Sequence, residues 1–148
     1  MAHFDAKRAV IGGIAGTVAM TVLMLTAPAM GLPPMNVGAM LGSAMGGSLI
    51  LGWMAHFVVG TGLALGYGLL FAGRLPGPGP VRGATYAILP WLVAQVVVMP
   101  MMGVGLFSGS VLAAGGSLMG HLLYGAVLGA IYGLPSSDDV HARLAAHA

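Results

Sequence analysis

Two histidines are the residues whose type and position in the sequence could support chemistry. His56 and His121 lie 65 residues apart, each about six residues from one end of a long uncharged segment. If these segments are helical, a rise of 1.5 Å per residue places each imidazole roughly 9 Å from the end of its helix. Two imidazoles at one depth on facing helices can hold a low-spin haem b, so His56 and His121 are candidate axial ligands.

The same pair of histidines, His56 and His121, is a candidate metal site. The chain contains 12 methionines, and thioether sulfur combined with imidazole nitrogen suits Cu(I). Methionine is also an ordinary filler of apolar cores, and these methionines recur at mixed spacings without a compact cluster. The cofactor therefore stays unknown from sequence, with haem b and copper both open.

A purely structural role for the histidines is open as well. Pro28 and Pro100 each remove a backbone hydrogen bond and free the carbonyl four residues earlier, which belongs to Met24 or Val96. A neutral imidazole can donate an N–H to such a carbonyl. In that interpretation each histidine is satisfied within the protein and holds no ligand.

Charged residues are too few for most catalytic or nucleic-acid-binding sites. They make up 5% of the chain, with Lys+Arg 5 and Asp+Glu 3, against about 25% in an ordinary soluble domain. There is no cysteine, and no carboxylate pair, Ser/His/acid set or phosphate-binding loop can be assembled. The net charge of +2 is too sparse for a surface that tracks phosphates. We therefore expect neither an enzyme nor a nucleic-acid-binding protein.

The elements that position the histidines are long apolar stretches. Hydrophobic residues make up 58% of the chain, and a membrane helix needs about 20 consecutive apolar residues. The composition predicts an all-α integral membrane protein with a single membrane domain over residues 1–148. The four stretches that qualify as spans are approximately 9–30, 49–72, 84–106 and 114–134.

The positions of the charges predict an orientation. All charged residues fall before the first span, in the link 73–83 or in the tail 135–148, and four crossings put these three segments on one side. By the positive-inside rule this side is the cytoplasm. We therefore expect a multi-pass protein of the bacterial inner membrane with both termini cytoplasmic. The uncharged connections 31–48 and 107–113 then face outward.

The sequence contains an internal repeat. Residues 56–60 align with residues 121–125 at an offset of 65, and Pro28 aligns more weakly with Pro100 at an offset of 72. Each half is predicted to be a helical hairpin, and both hairpins enter from the same side, so the repeat is parallel. The predicted fold is a four-transmembrane-helix bundle made of two parallel-repeat helical hairpins.

Small residues mark the faces on which these helices should pack. Residues four apart share a helix face, and small residues let helix backbones approach closely in lipid. Glycines occupy such positions in the rows that contain the two histidines. Together with the two helix-bending prolines they form the predicted packing set, which is Gly52, Gly60, Gly125, Gly129, Pro28 and Pro100.

Three segments carry a resemblance to a known family. Residues 52–57, 82–91 and 120–125 resemble the small bacterial four-helix transmembrane proteins of a family of unknown function. The similarity extends over nearly the whole chain. It implies a four-helix membrane topology and supplies no activity.

The outward connections suggest the kind of function. Residues 31–48 and 107–113 carry no charge, so they are expected to lie in the membrane interface or to be covered by another protein. We therefore expect a non-enzymatic accessory subunit of a larger respiratory or electron-transfer complex. It would contact the lipid bilayer and either other membrane subunits or a second copy of itself. The alternatives are a protein that binds haem b or copper through both histidines, and a small transporter, since internal duplication suits alternating access.

Overall fold

Helices make up all the regular secondary structure in the part of the chain that the computed structural model describes, residues 4–133. The predicted tail, residues 135–148, lies outside this range. The α-helices are α1 (Ala6–Thr26), α2 (Val37–Ser43), α3 (Leu49–Gly66), α4 (Gly79–Val93), α5 (Met99–Met101) and α6 (Val111–Tyr132). Four turns of other helical types extend or join them, namely the 3₁₀ turns Ala27–Met30 and Leu106–Gly109 and the π turns Tyr67–Phe71 and Ala94–Val98.

Four of the helical segments are long and apolar enough to cross a membrane. They contain 25, 23, 23 and 22 residues, with mean hydropathies of 2.0, 1.7, 1.6 and 1.5. Within residues 4–133 the prediction of an all-helical fold with four such helices is therefore confirmed. In chain order they are Ala6–Met30, Leu49–Phe71, Gly79–Met101 and Val111–Tyr132.

Polar side chains begin most of these helices. The first turn of a helix has backbone N–H groups without helical partners, and a side-chain oxygen at the N-cap accepts from one of them. This occurs at four helix starts, at Asp5, Asn36, Ser48 and Ser110. Helix α4 begins instead with a proline in its first turn, where the missing N–H costs nothing.

The third long helix differs from its predicted bounds. It begins at Gly79, not at residue 84, because Pro80 is compatible with a first turn and Arg82 is compatible with the helix. The Nη1 atom of Arg82 donates to the carbonyl oxygen of Ala72 at 2.7 Å, which satisfies part of the guanidinium group. The helix ends at Met101, not at residue 106, because Gly103 has a φ of 73° and leaves the helical region.

The four long helices pack in the order α3, α1, α6, α4, with α1 and α6 in the middle. The closest approach joins α4 and α6. A Cβ atom built on Gly83 would overlap the carbonyl oxygen of Gly125, and one built on Gly129 would overlap that of Gly79. These two backbones are in direct contact, which only glycine permits.

Glycines of α1 pack against both of its neighbouring helices, α3 and α6. A Cβ on Gly12 or Gly16 would press on the backbone of Leu128 or Tyr124 in α6. On the next face, a Cβ on Gly13 would meet the backbone of α3 near Gly60. Helix α1 is therefore held on two sides by backbone contact.

The predicted glycine rows thus pack within the hairpins, and the row of α3 does not lie on the row of α6. Gly125 and Gly129 face α4, whereas Gly60 faces Thr17 of α1. Gly52 of α3 faces none of the other long helices. It faces α2, because a Cβ atom at Gly52 would overlap the carbonyl oxygen of Gly38. This separation of α3 from α6 leaves room in the centre of the bundle.

The connection between α1 and α3, residues 31–48, folds back onto the bundle. Its helix α2 packs along the start of α3, where Gly38 lies against the indole of Trp53 and Gly42 lies against the backbone of Ser48. Both glycines are buried. Contacts within the chain therefore bury one face of α2, whereas residues 43–47 of the same connection stay exposed.

Candidate functional site

A cavity of about 370 Å³ lies between α1, α2, α3 and α6 and the helix formed by α4 and its π turn. Its volume falls within the range of about 300–1,000 Å³ that is typical of small-molecule sites. His56 and His121 both line it. The structure therefore brings the two predicted site residues to one cavity.

The hydrogen bonds of His56 determine which of its nitrogens carries a proton. Its Nε2 lies 3.2 Å from the hydroxyl oxygen of Thr21, and that hydroxyl donates to the carbonyl oxygen of Thr17 at 2.7 Å. Because the one proton of the Thr21 hydroxyl is donated to Thr17, this hydroxyl accepts from His56, which assigns the proton of the imidazole to Nε2. Its Nδ1 is then an acceptor. The centroid of its ring lies 5.9 Å from those of Trp53 and Phe57, and the ring planes are inclined by 68° and 77°.

His121 adopts the opposite tautomer. Its Nδ1 lies 2.8 Å from the carbonyl oxygen of Ser117, one turn earlier in α6. A carbonyl can only accept, so Nδ1 carries the proton and Nε2 is an acceptor. Neither histidine uses the carbonyl that a proline was expected to free, at Met24 or Val96. Each has a nearer partner, from α1 for His56 and from its own helix for His121.

Hydroxyl groups around the cavity are bonded to backbone carbonyls. Tyr86 donates to Leu63 at 2.8 Å, and Tyr124 donates to Gly60 at 2.6 Å. The first bond joins α4 to α3 and the second joins α6 to α3. The sequence analysis did not single out these two tyrosines. Tyr124 follows His121 by three residues, so Tyr124 and His121 lie on one face of α6, and this spacing is a signal that could have identified Tyr124.

Ser117 and Gln95 connect the cavity to the turn at 106–109, which precedes α6. The Nε2 of Gln95 donates to the hydroxyl of Ser117 at 3.2 Å, and the hydroxyl of Ser108 donates to Oε1 of Gln95 at 2.8 Å. Gln95 is completely buried, in the π turn that follows α4. Its amide therefore fixes both the wall of the cavity and the turn at 106–109.

The cavity opens sideways between α3 and α4. The two helices lack the close backbone packing found elsewhere in the bundle. The residues that line the cavity at this edge are exposed, and the exposed fraction is 55% for Val59, 50% for Leu89 and 48% for Val93. The bond from Tyr86 to Leu63 closes one end of the gap. At the other end α2 covers the cavity, since Val37, Met40 and Leu41 line it there.

The walls of the cavity are mostly apolar, and among the described residues they carry no charged side chain. No Lys, Arg, Asp or Glu of residues 4–133 lines it. Its thioethers come from Met20, Met24, Met35, Met40 and Met99. Within the described range no three His, Cys, Asp or Glu side chains form a group that could hold a metal ion. A metal would have to use the two imidazoles and the thioethers.

The remaining predicted packing residues lie away from this cavity, with one exception. Gly60 lines it, whereas Gly52, Gly125 and Gly129 lie in the helix contacts. Pro28 is in the 3₁₀ turn after α1 and Pro100 is in α5, each in the first positions of its turn. Both prolines therefore mark helix ends and do not build the site.

Comparison with known proteins places the chain in a family. The sequence model described as "Family of unknown function (DUF6789)" matches residues 4–142. The chain belongs to DUF6789. The family resemblance inferred from the sequence is thereby confirmed, and it supplies no activity for this DUF6789 protein. Neither the curated proteins nor the solved structures contain a match.

Proposed function

We propose that the chain crosses a bacterial inner membrane four times, as two parallel hairpins with both termini in the cytoplasm. The length and hydropathy of four helices support the crossings, and the placement of the charges supports the orientation. Equivalent contacts support the repeat. Gly13 packs against Gly60 in the first hairpin, and Gly83 packs against Gly125 in the second; Gly60 and Gly125 are separated by the same 65 residues as the histidines.

Cysteine labelling tests this topology. The chain has no cysteine of its own, so Ala44→Cys and Pro76→Cys, both at exposed connections, each introduce a single thiol. In intact spheroplasts a membrane-impermeant maleimide should label Ala44→Cys and should reach Pro76→Cys only after permeabilisation. The reverse pattern would show that the orientation is inverted, and labelling of both without permeabilisation would exclude four crossings.

We infer that the protein is a non-enzymatic binding protein whose cavity takes a small apolar molecule from the lipid phase. The observation that carries this proposal is the sideways opening between α3 and α4, which leads to two imidazoles in a mostly apolar wall without charged groups. Pockets of this kind are mostly apolar and contain a few polar groups that orient the ligand. An uncharged wall disfavours ions and anionic headgroups, whereas a neutral amphiphile loses little hydration on entry.

A pair of tryptophan substitutions tests the binding proposal. Val93 lines the cavity and Val97 does not, although both are 48% exposed and lie four residues apart. Nanodiscs containing the protein should take up 4-heptylphenol in a saturable step with one site per chain, measured by calorimetry against empty nanodiscs. Val93→Trp should lower the affinity for 4-heptylphenol by about tenfold or more, which is about 1.4 kcal/mol of binding free energy, because the indole fills the opening of the cavity.

Val97→Trp is the matched control for this experiment. It adds the same indole to the same helix outside the cavity, so the affinity should stay within about twofold of the original, or about 0.4 kcal/mol. Uptake by the original protein that rises linearly, as in empty nanodiscs, would refute the binding proposal. Equal weakening by the two substitutions would place the site elsewhere.

Haem is a second candidate ligand, because both imidazoles line the same cavity. His121 has a free Nε2, as an axial ligand requires, and its Nδ1 is held by a backbone carbonyl. His56 fits less well, since its Nε2 donates to Thr21. Iron would have to bind Nδ1 of His56, or His56 would have to turn and lose that bond. The same condition applies to Cu(I), with the cavity thioethers as further ligands.

The role of an accessory subunit in a respiratory or electron-transfer complex remains a proposal with weaker support. One of its arguments was the apolar outward connection, and one face of that connection, at Gly38 and Gly42 of α2, packs instead on α3 of the same chain. The end of the second hairpin around the second connection retains exposed apolar side chains, with Val111 and Met101 the most exposed. A partner subunit would therefore be expected to contact the end of the second hairpin. A transporter function has no further support, since no charged group lies in the cavity.

A further inference from the structure

Most polar hydrogens of the cavity wall are already used within the protein. Each polar side chain that can be assigned donates to a protein oxygen, which leaves little to donate to a ligand. The bonds run from Thr17 to Gly13, from Tyr86 to Leu63, from Tyr124 to Gly60, from His56 to Thr21 and from His121 to Ser117. The hydroxyl of Ser117 is different, because it accepts from Gln95 and its own proton has no assigned acceptor among residues 4–133.

Acceptors, by contrast, remain available. The opposite tautomers of the histidines leave Nδ1 of His56 and Nε2 of His121 with lone pairs and no proton. An acceptor that is buried by a ligand without receiving a hydrogen bond costs free energy. At either imidazole nitrogen, a ligand that brings a hydroxyl proton removes this cost, whereas a ligand that presents only carbonyl or ether oxygen there places one lone pair against another.

We propose that the cavity selects apolar molecules that carry a hydroxyl group, an alcohol or a phenol, over analogues in which that proton is replaced by a methyl group or the oxygen is a carbonyl. The inference rests on the proposed binding function and adds the chemical class of the ligand. The hydroxyl donates to an imidazole nitrogen, Nε2 of His121 in the first place, and the apolar body occupies the opening between α3 and α4. No charge on the ligand is required, since none lines the cavity.

Two ligands that differ by one methyl group test the proposal. 4-Heptylphenol and 4-heptylanisole have the same apolar body, and only the phenol has an O–H. Their affinities for the protein in nanodiscs are measured by calorimetry, each corrected for its own partition into empty nanodiscs. A neutral hydrogen bond contributes a factor of about 2 to 12 in affinity, so the phenol should bind roughly fivefold more tightly than the ether.

The outcomes separate this inference from the binding proposal. Saturable binding of both ligands with equal affinity, or tighter binding of the ether, overturns the selection for a hydroxyl and leaves the cavity as a binding site. Saturable binding of neither ligand refutes the binding function itself. Tighter binding of the phenol supports both.

Substitution of His121 identifies the acceptor. In His121→Phe the ring stays and Nε2 is lost, so the preference for the phenol should fall to within about twofold, a difference of about 0.4 kcal/mol. Binding of the ether should be retained, which shows that the variant is folded. An unchanged preference would exclude His121 as the main acceptor and overturn that assignment.

Nitrogen NMR of the original protein covers the case in which His121→Phe does not fold. In the imidazoles of ¹⁵N-histidine-labelled protein, the phenol should shift the unprotonated Nε2 of His121 in the direction of a hydrogen-bonded acceptor. The ether should leave that resonance in place. Equal shifts with both ligands, or no shift with either at saturation, would contradict donation to His121.

Discussion

Replacing Gly125 by alanine is expected to destabilise the bundle by about 2–3 kcal/mol, the upper part of the range for overpacking a tightly packed site. A Cβ at this position would overlap the carbonyl oxygen of Gly83 and the side chain of Ala87. Neither the carbonyl nor the methyl group can rotate away, so α4 and α6 must separate along their length. In lipid, helices associate through close van der Waals contact, and that contact is what the separation removes.

The control for this substitution lies ten residues earlier on the same helix. A Cβ on Gly115 meets no atom within 4 Å, and alanine has the higher helix propensity by about 1 kcal/mol in water. Gly115→Ala should therefore be neutral or mildly stabilising. Denaturation in mixed micelles of increasing SDS content measures both variants. Equal stability of Gly125→Ala and Gly115→Ala would show that α4 and α6 are not in backbone contact.

Replacing Gln95 by leucine should have the second largest effect, a loss of about 1–3 kcal/mol if two hydrogen bonds at roughly 0.6–1.7 kcal/mol each are removed. Leucine keeps most of the volume and cannot bond to Ser117 or Ser108. Ser108 has a φ of 58°, which is unusual for a residue other than glycine. Without its bond to Gln95 the turn at 106–109 should relax.

Hydrogen exchange distinguishes the effect of Gln95→Leu from a general loss of stability. Amides in residues 102–113 should exchange faster than in the original protein, while amides in α1 and α3 should change less. Val96→Leu, at a 47% exposed neighbouring position, is the control and should leave exchange unaltered. Uniform acceleration in every helix would contradict a local role for Gln95.

The helices themselves could be predicted because the signal is strong. Four uncharged apolar stretches of sufficient length leave few alternatives, and caps such as Ser48 and Ser110 lie where the chain enters a helix. The third long helix begins at Gly79 and includes Arg82, although the position of a charge next to an apolar stretch predicts a start after it. An arginine can lie in the first turn when its guanidinium group reaches a backbone carbonyl, and here it reaches Ala72.

The arrangement of the helices could not be predicted from glycine spacing. Gly52, Gly60 and Gly125 occupy similar rows in the sequence, but they pack on α2, α1 and α4 respectively. The spacing of the glycines shows that one face of a helix lacks bulky side chains and so permits close approach. It does not show which neighbouring helix packs on that face. The insertion at the π turn Ala94–Val98 is likewise invisible in the periodicity, and Gln95 is buried within that turn.

The two histidines could be predicted to lie at one depth, and the structure places both on one cavity. Their partners could not be predicted, because a hydroxyl from α1 is nearer to His56 than any carbonyl freed by a proline. The tautomers depend on those partners. The acceptor character of the cavity therefore becomes visible only when the bonds of Thr21 and Ser117 are known.

The position of a bound ligand is the most direct test of the central claim, that an apolar molecule enters between α3 and α4 and reaches the histidines. Crystals grown in a lipidic mesophase and soaked with a bromine-substituted 4-heptylphenol would locate the bromine by its anomalous scattering. We predict a peak inside the cavity, between Val59 or Val93 at the opening and His121 at the back wall. Ordered bromine only on the outer, lipid-facing surface of the bundle, with the cavity closed by contact of α3 and α4, would contradict the proposal.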